Sequence, residues 1–326
     1  MINLVLTREC AKRCSFCFTG NYSKDTEVSL DFIDKLFSHF KQTMGGVNIL
    51  GGEPTQHSKF TEIIDKISLQ YNLRYLLISN LLFPNRILEW LVDNYHNRHG
   101  ILANGMEMFA ADSRFRLFAK NWNKLFLEHS NIYEIIIALT IAKNHTPEYF
   151  SNYMKALKNE LADIPYIRIG IDLSNMEIIN NTMYGDCIRA IQEEYPKSSI
   201  MFDCQIPPCI FNYDPNKVLY SFSNMSALCD KPPVDVFADG SAIYGFCVQH
   251  IEVDDVFAYD TMYDLNREFR TQYKEKEREQ LKEIPNVCKT CDYYLENTCN
   301  SLCLGCSSGK QGAERATLPP LPSRPI

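Results

Sequence analysis

Apolar residues over the first two thirds of the chain come in two alternating textures. Six short runs, 2–6, 47–50, 75–78, 134–140, 166–173 and 200–204, are rich in β-branched residues and bounded by Gly, Asn or Pro, which predicts buried strands. Between them, 29–43, 59–68, 86–95, 113–129, 147–161 and 182–195 carry apolar residues at helical spacing. In the first of these Leu30, Ile33, Leu36 and Phe37 share one face, and Ser29 is placed to cap the start. Strands alternating with helices predict an α/β fold, a parallel sheet covered by helices. The stretch 100–108 fits a further strand or an irregular connection equally well.

After about Pro207 the periodicity fades while prolines and cysteines crowd in. Residues 267–283 read as a charged, solvated connector helix. The change of texture predicts a main domain over 1–205, a smaller metal-stapled region over 206–308 and a disordered, proline-rich tail over 309–326. No repeat of 20–50 residues is visible.

Composition narrows the function. With 45% hydrophobic and 22% charged residues the chain can bury a sizeable core. Its 33 Lys and Arg against 40 Asp and Glu give a net charge of −7, so no general attraction to nucleic acid is expected. The longest apolar run, 133–142, already contains Glu134 and is far short of the roughly 20 residues of a spanning helix, so no membrane segment is expected. The opening Met1-Ile2-Asn3-Leu4 has no basic region followed by an apolar stretch, which points to the cytoplasm. In a reducing compartment the thirteen cysteines are metal ligands more readily than disulfides.

Directly after the first predicted strand comes Cys10-Ala11-Lys12-Arg13-Cys14-Ser15-Phe16-Cys17. Three thiols on so short a loop must converge. Three thiolates on a four-iron cluster leave one iron without a protein ligand, and an open position is what a metal site needs in order to bind and activate something. The alternative is a zinc knuckle short of its fourth ligand, but no His lies nearby in the sequence to complete one.

This Cys-x3-Cys-x2-Cys run, with Phe16 before its third Cys, resembles the radical S-adenosylmethionine (SAM) enzymes. The resemblance implies a partial (β/α)6 barrel, a 4Fe-4S cluster held by Cys10, Cys14 and Cys17, and SAM on the open iron. SAM is then cleaved to methionine and a 5′-deoxyadenosyl radical that abstracts hydrogen from substrate, with an electron donor such as flavodoxin or ferredoxin. Gly51-Gly52-Glu53-Pro54 after the second strand matches the family's GGEP motif, in which missing side chains let backbone approach the methionine moiety and Glu53 accepts from its ammonium. Ser79-Asn80 closes the third strand where relatives carry Thr/Ser-Asn-Gly, with Leu81 in place of the Gly. Asn144, and Arg168 or Asp172, sit where relatives place ribose or carboxylate contacts. His57, just past the motif, reads as a surface or satisfied residue.

Cys288, Cys291, Cys299, Cys303 and Cys306, with Cys229 and Cys247 flanking Asp239-Gly240, resemble the SPASM extension of radical SAM enzymes. The spacing differs at Gly240 to Cys247 and between Cys291 and Cys299. The resemblance implies two auxiliary 4Fe-4S clusters. Setting aside the three N-terminal cysteines leaves ten, and two fully ligated clusters use eight. Cys288, Cys291, Cys299 and Cys306 would hold one, and Cys229, Cys247, Cys303 and one of Cys204 and Cys209 the other. Cys187 reads as a buried core thiol. The alternative for these C-terminal thiols is structural zinc.

Relatives with this extension mostly modify peptides by crosslinking, epimerisation or residue oxidation, so the resemblance implies an oxidative change to a peptide substrate. Asp203 or Asp172 would serve as acid or base at the barrel mouth, with Cys204 facing the substrate. Dehydrogenation of a small metabolite or sugar, and a catalytically silent iron–sulfur or zinc scaffold, are the other readings. Many peptide maturases grip a leader peptide with a separate N-terminal domain. This chain starts at the barrel's first strand, so leader recognition is expected from elsewhere.

Overall fold

The computed structural model describes residues 2–12, 14–17, 27–94, 99–108, 111–129, 135–142, 144–171, 182–202, 233–244, 251–280, 289–291 and 295. Strands and helices alternate as the apolar pattern predicts. In chain order they are β1 (Ile2–Val5), α1 (Leu30–Phe40), β2 (Gly46–Leu50), α2 (Phe60–Asp65), β3 (Arg74–Ser79), α3 (Asn85–Asn94), β4 (His99–Ala103) and α4 (Ser113–His129). Then follow β5 (Ile135–Ile141), α5 (Pro147–Glu160), β6 (Tyr166–Ile171), α6 (Thr182–Glu194) and β7 (Ser199–Phe202). Last come β8 (Val234–Val236), β9 (Ala242–Ile243), β10 (Glu252–Val253) and α7 (Met262–Gln280).

The strands form one sheet in the order β10-β9-β8-β1-β2-β3-β4-β5-β6-β7. From β8 to β7 every pairing is parallel, while β9 and β10 turn back antiparallel. Each of the first six strands is followed by a helix and then by the strand beside it, the repeating unit of a partial (β/α) barrel. The ambiguous stretch resolves into both alternatives: β4 takes Gly100 to Ala103, and 104–108 is irregular.

The helix-facing side of the sheet is the core. On α1, Ile33, Leu36, Phe37 and Phe40 are buried against it, each worth about 1.5–3 kcal/mol of transfer free energy. Ser29 caps that helix, its hydroxyl accepting from the Phe32 amide at 3.0 Å. The helix begun by α2 continues as a wider π turn over Lys66–Gln70. The opposite, concave face of the sheet keeps partial exposure at alternate positions: Asn48, Leu76, Ala138, Thr140 and Arg168. That face is the inside of the partial barrel.

Two features differ from the sequence pattern. β8, from the cysteine-rich region, is built into the main sheet beside β1; three residues are too few to show a period. The predicted connector at 267–283 is not solvated throughout, because Phe269 and Tyr273 within it are buried, continuing a stripe that Met262 and Leu265 begin in the first turns of α7, with Phe269 stacked on Tyr244 at 5.2 Å. Its charges dominate the composition and mask four apolar residues at helical spacing. No described helix is long and apolar enough to cross a membrane.

Candidate functional site

The strand that leads into the cysteine loop does not stop at Val5. Leu6 donates to Leu50 O at 2.8 Å, Gly52 N to Thr7 O at 2.7 Å and Glu53 N to Glu9 O at 2.7 Å, so residues 6–9 run beside 50–53 past the ends of β1 and β2. This close approach explains both glycines. A Cβ on Gly51, whose φ is +150°, would stand 2.2 Å from Thr7 O, and one on Gly52 would stand 2.3 Å from Glu9 O and 2.5 Å from Arg8 O. Pro54 then opens a short 3-10 turn over Pro54–Gln56.

Glu53 caps that turn and is 1% exposed. Its Oε1 accepts from the Thr55 hydroxyl at 2.7 Å, the Thr55 amide at 3.3 Å and the Ser79 hydroxyl at 2.8 Å, while Oε2 accepts from the Asn80 amide at 2.7 Å. Burial pushes its pKa up, and these four donors oppose the shift. One carboxylate thus ties the GGEP turn to the end of β3. Just beyond, Leu81 takes a φ of +55°, the left-handed conformation that suits the glycine of the resembling family. It is held there by its N–H, which donates a hydrogen bond to Ser79 Oγ at 3.0 Å, and by Asn121 Nδ2, which donates to Leu81 O at 2.7 Å.

The three thiols share one loop. Cys10 Sγ accepts from the Lys12 amide at 3.4 Å and from Asn80 Nδ2 at 3.5 Å, and the Cys17 amide donates to Cys14 O at 3.1 Å. Burial pushes the Cys10 thiol up to about 11, against the hydrogen bond from the Lys12 main-chain amide, and raises that of Cys14, against the pull of the Lys12 ammonium. Lys12 is 6% exposed, and burial lowers its pKa while the Cys14 sulfur supports the charge. Among the described residues no three His, Cys, Asp or Glu side chains stand together closely enough to hold one metal ion. A cluster asks for a different arrangement, with each thiolate on its own iron. The donor set fits that demand: three thiols on one loop, one already receiving two N–H groups of the kind that tune iron–sulfur clusters.

Sequence reasoning missed the other wall of the site. Residues 104–108, following β4, grip the cysteine loop: Lys12 Nζ donates to Asn104 O at 3.1 Å and to Asn104 Oδ1 at 3.3 Å, and the Ser15 amide donates to Glu107 Oε2 at 2.9 Å. Phe16 meets the His145 ring edge-on at 6.1 Å, and His145 stacks on Tyr149 at 4.6 Å. The Asn104-Gly105 pair closing an apolar run was the available signal for a strand ending in a functional turn.

The remaining expected residues are placed unevenly. Asn144 lies exposed after β5, and Arg168 sits half-buried on the concave face of β6. His57 is buried and satisfied, its Nε2 bonded to Val28 O at 2.8 Å and its Nδ1 accepting from the Lys59 amide at 2.9 Å. Cys187 is fully buried in α6, and Cys291 is half-buried. Asp172, Asp203, Cys204, Cys209, Cys229, Cys247, Cys288, Cys299, Cys303 and Cys306 lie outside the described residues.

Comparison with known proteins bears on the same segment. Residues 4–107 match the model of the radical SAM superfamily. Among solved structures, the chain is similar to Streptococcus suis SuiB bound to precursor peptide SuiA, with a TM-score of 0.59 and 14% identity over 92% of this chain and 71% of that one. It is also similar to SuiB bound to S-adenosylmethionine, with a TM-score of 0.57 and 14% identity over 90% of this chain and 70% of the other. At such identity the likeness is one of fold. A comparison with curated proteins found no match.

Proposed function

From the match of residues 4–107 to the radical SAM superfamily, we propose that this chain reductively cleaves S-adenosylmethionine and uses the resulting radical to modify a peptide oxidatively. The observation that carries the reading is the cysteine loop locked along the GGEP turn, three thiols held beside Glu53 and Asn80. A 4Fe-4S cluster held by these thiols with one iron free of protein ligands would supply the electron for reductive cleavage of SAM.

The protein's part is placement. Cys10, Cys14 and Cys17 would hold the cluster, and metal loading must displace the protons that burial keeps on Cys10 and Cys14. Glu53 Oε2 has a single bond among the described residues, which leaves it a lone pair to accept from the ammonium of SAM. Gly51 and Gly52, with no side chain, keep the turn against the cysteine loop, Pro54 opens the short turn that Glu53 caps, and Thr55, Ser79 and Asn80 fix the carboxylate. Phe16 is assigned to the SAM site, and Asn144 and Arg168 or Asp172 to the ribose or carboxylate of SAM. The concave face of the sheet, partly exposed at Leu76 and Thr140, would take the substrate.

The similarity to SuiB, solved with its precursor peptide, supports a peptide substrate. On this reading Cys229, Cys247, Cys288, Cys291, Cys299, Cys303, Cys306 and one of Cys204 and Cys209 carry two auxiliary 4Fe-4S clusters in a SPASM-like region over 206–308, and Asp172 or Asp203 takes the substrate proton.

Anaerobically reconstituted protein should hold about twelve irons per chain, about four for each cluster. Cys14→Ala should remove one cluster's iron and all 5′-deoxyadenosine. A peptide encoded beside the gene should lose hydrogen atoms, read by mass spectrometry; turnover of a small metabolite instead would redirect the substrate assignment. Should the intact, oxygen-free protein release no 5′-deoxyadenosine under strong reductant, the reading is wrong.

A further inference from the structure

Glu107 stands in an unusual backbone conformation, at the meeting of three loops. Its φ is +59°, in the left-handed region that a side chain occupies only when its surroundings impose it. The constraint is visible. The Glu107 amide donates to the Tyr149 hydroxyl at 3.1 Å, which fixes the backbone against the first turn of α5. The carboxylate turns the other way. Its Oε2 accepts from the Ser15 amide at 2.9 Å, and its Oε1 accepts from the Ser15 hydroxyl, so both oxygens hold Ser15, one of the two residues between Cys14 and Cys17.

A third contact comes from the loop after β5. His145 is 4% exposed, its Nε2 has no hydrogen-bond partner among the described residues, and the nearest carboxylate oxygen is Glu107 Oε1 at 3.9 Å. The same His ring is the one against Phe16, which directly precedes Cys17. Two residues back from Glu107's neighbour Met106, Asn104 holds Lys12 on the far side of Cys14. The segment 12–16 is therefore pinned at Lys12, Ser15 and Phe16, and Glu107 holds the only one of the three pins that fixes a main-chain amide through a carboxylate.

We infer that Glu107 is a positioning residue for the cysteine loop, tying its Cys14–Cys17 arc to the loops after β4 and β5 and so setting where the second and third thiols stand. The inference rests on the radical SAM reading of that loop, but one of its tests does not. A main-chain donor bonded to a carboxylate is a strong, directional tether, and a strained backbone kept at such a junction is the mark of a conformation held for its geometry. Loss of the tether lets the arc drift, and about an ångström of misplacement at a reacting centre costs up to about a hundredfold.

The test uses the full chain, anaerobically reconstituted, as Glu107→Ala, Glu107→Gln and Ser15→Ala. Hydrogen exchange at the Ser15 amide should quicken in Glu107→Ala and much less in Glu107→Gln, whose side-chain oxygen still accepts. The reduced-cluster EPR signal should change in Glu107→Ala, and KM for SAM should rise by about tenfold or more, with Glu107→Gln restoring most of both. Ser15→Ala should shift both in the same direction by less, and add little on top of Glu107→Ala. Unchanged Ser15 exchange together with an unchanged EPR signal and KM in Glu107→Ala would overturn the inference. If Glu107→Ala does not accumulate folded, Ser15→Ala decides by the same readouts, and wild-type values of all three in that variant would reject it. A wild-type protein that cleaves no SAM while Glu107→Ala still quickens exchange at Ser15 would leave the tether standing and sink the enzyme reading alone.

Discussion

Asn3 on the first strand donates a hydrogen bond from its side-chain amide to Asp235 Oδ1 at 2.5 Å, across 232 positions of sequence and in full burial. Asn48 Nδ2 in turn donates to Asn3 Oδ1 at 2.7 Å, so β2, β1 and β8 are joined by one row of polar side chains. The row ends on an unpaired oxygen, because Asp235 Oδ2 has no partner among the described residues.

That oxygen gives a pH signature. Burial pushes the Asp235 carboxyl well above the usual carboxylate range, with only the Asn3 amide pulling the other way. A raised folded-state value means that the fold favours the neutral acid. Its contribution to stability is complete below the ordinary value near 3.8 and is lost as pH rises toward the folded one. Asp235→Asn keeps the acceptor for Asn3 and removes the charge. It should stabilise the protein by about 1–3 kcal/mol at neutral pH, with the gain shrinking toward about pH 4; thermal melts across that range check it, and a loss of stability at neutral pH would refute it.

Gly52 and Gly45 make a matched pair. A methyl at Gly52 meets backbone oxygen at 2.3 Å and 2.5 Å, and backbone cannot swing away as a side chain does; at Gly45 nothing lies within 4 Å. Gly52→Ala should cost about 4 kcal/mol or more and reduce iron loading, since the oxygens it strikes belong to the residues entering the cysteine loop. Gly45→Ala should change stability by less than about 1 kcal/mol. Denaturant titration with iron analysis of both variants tests the contrast.

At Leu81 two effects compete. Its left-handed backbone costs about 1–2 kcal/mol that a glycine would not incur. Its side chain is fully buried, and truncating such a leucine costs about 2–5 kcal/mol. Burial wins, so Leu81→Gly should be destabilising in a denaturant titration, although it restores the residue the motif carries elsewhere. A stabilised variant would mean that backbone strain outweighs the packing of the side chain.

Much of this was legible because the sheet is repetitive. Six βα units in a row impose the same two periods again and again, and Gly51-Gly52-Glu53-Pro54 sits one turn past a strand, where a close backbone approach was the natural reading. What the glycines approach, however, is the Thr7 to Glu9 backbone, which no local pattern encodes. Glu107 was invisible for a related reason: its role follows from the loops after β1, β4 and β5 arriving at one point, while its own neighbours in sequence show no motif. β8 was hidden by its length, and the docking stripe of α7 by the charges around it.

Cys187 separates packing from ligation. It is fully buried in α6, 3.5 Å from Met183 Sδ, and burial pushes its thiol up to about 12, so it stays protonated. Cys187→Ala should lower stability by about 0.5–1.5 kcal/mol, the scale of one buried heavy group, and leave iron content unchanged. A drop of several irons per chain would move it among the ligands.

The parallel pairing of β8 with β1 also sets a timetable. A ribosome making about 5–20 residues per second releases β1 on the order of ten to fifty seconds before β8 exists to flank it. Throughout that interval the nascent sheet ends in a bare main-chain edge right beneath the cysteine loop, the kind of edge that recruits foreign strands. Messages cut short before the codon for Val234 would leave it bare for good, and their products should aggregate rather than accumulate as a smaller barrel.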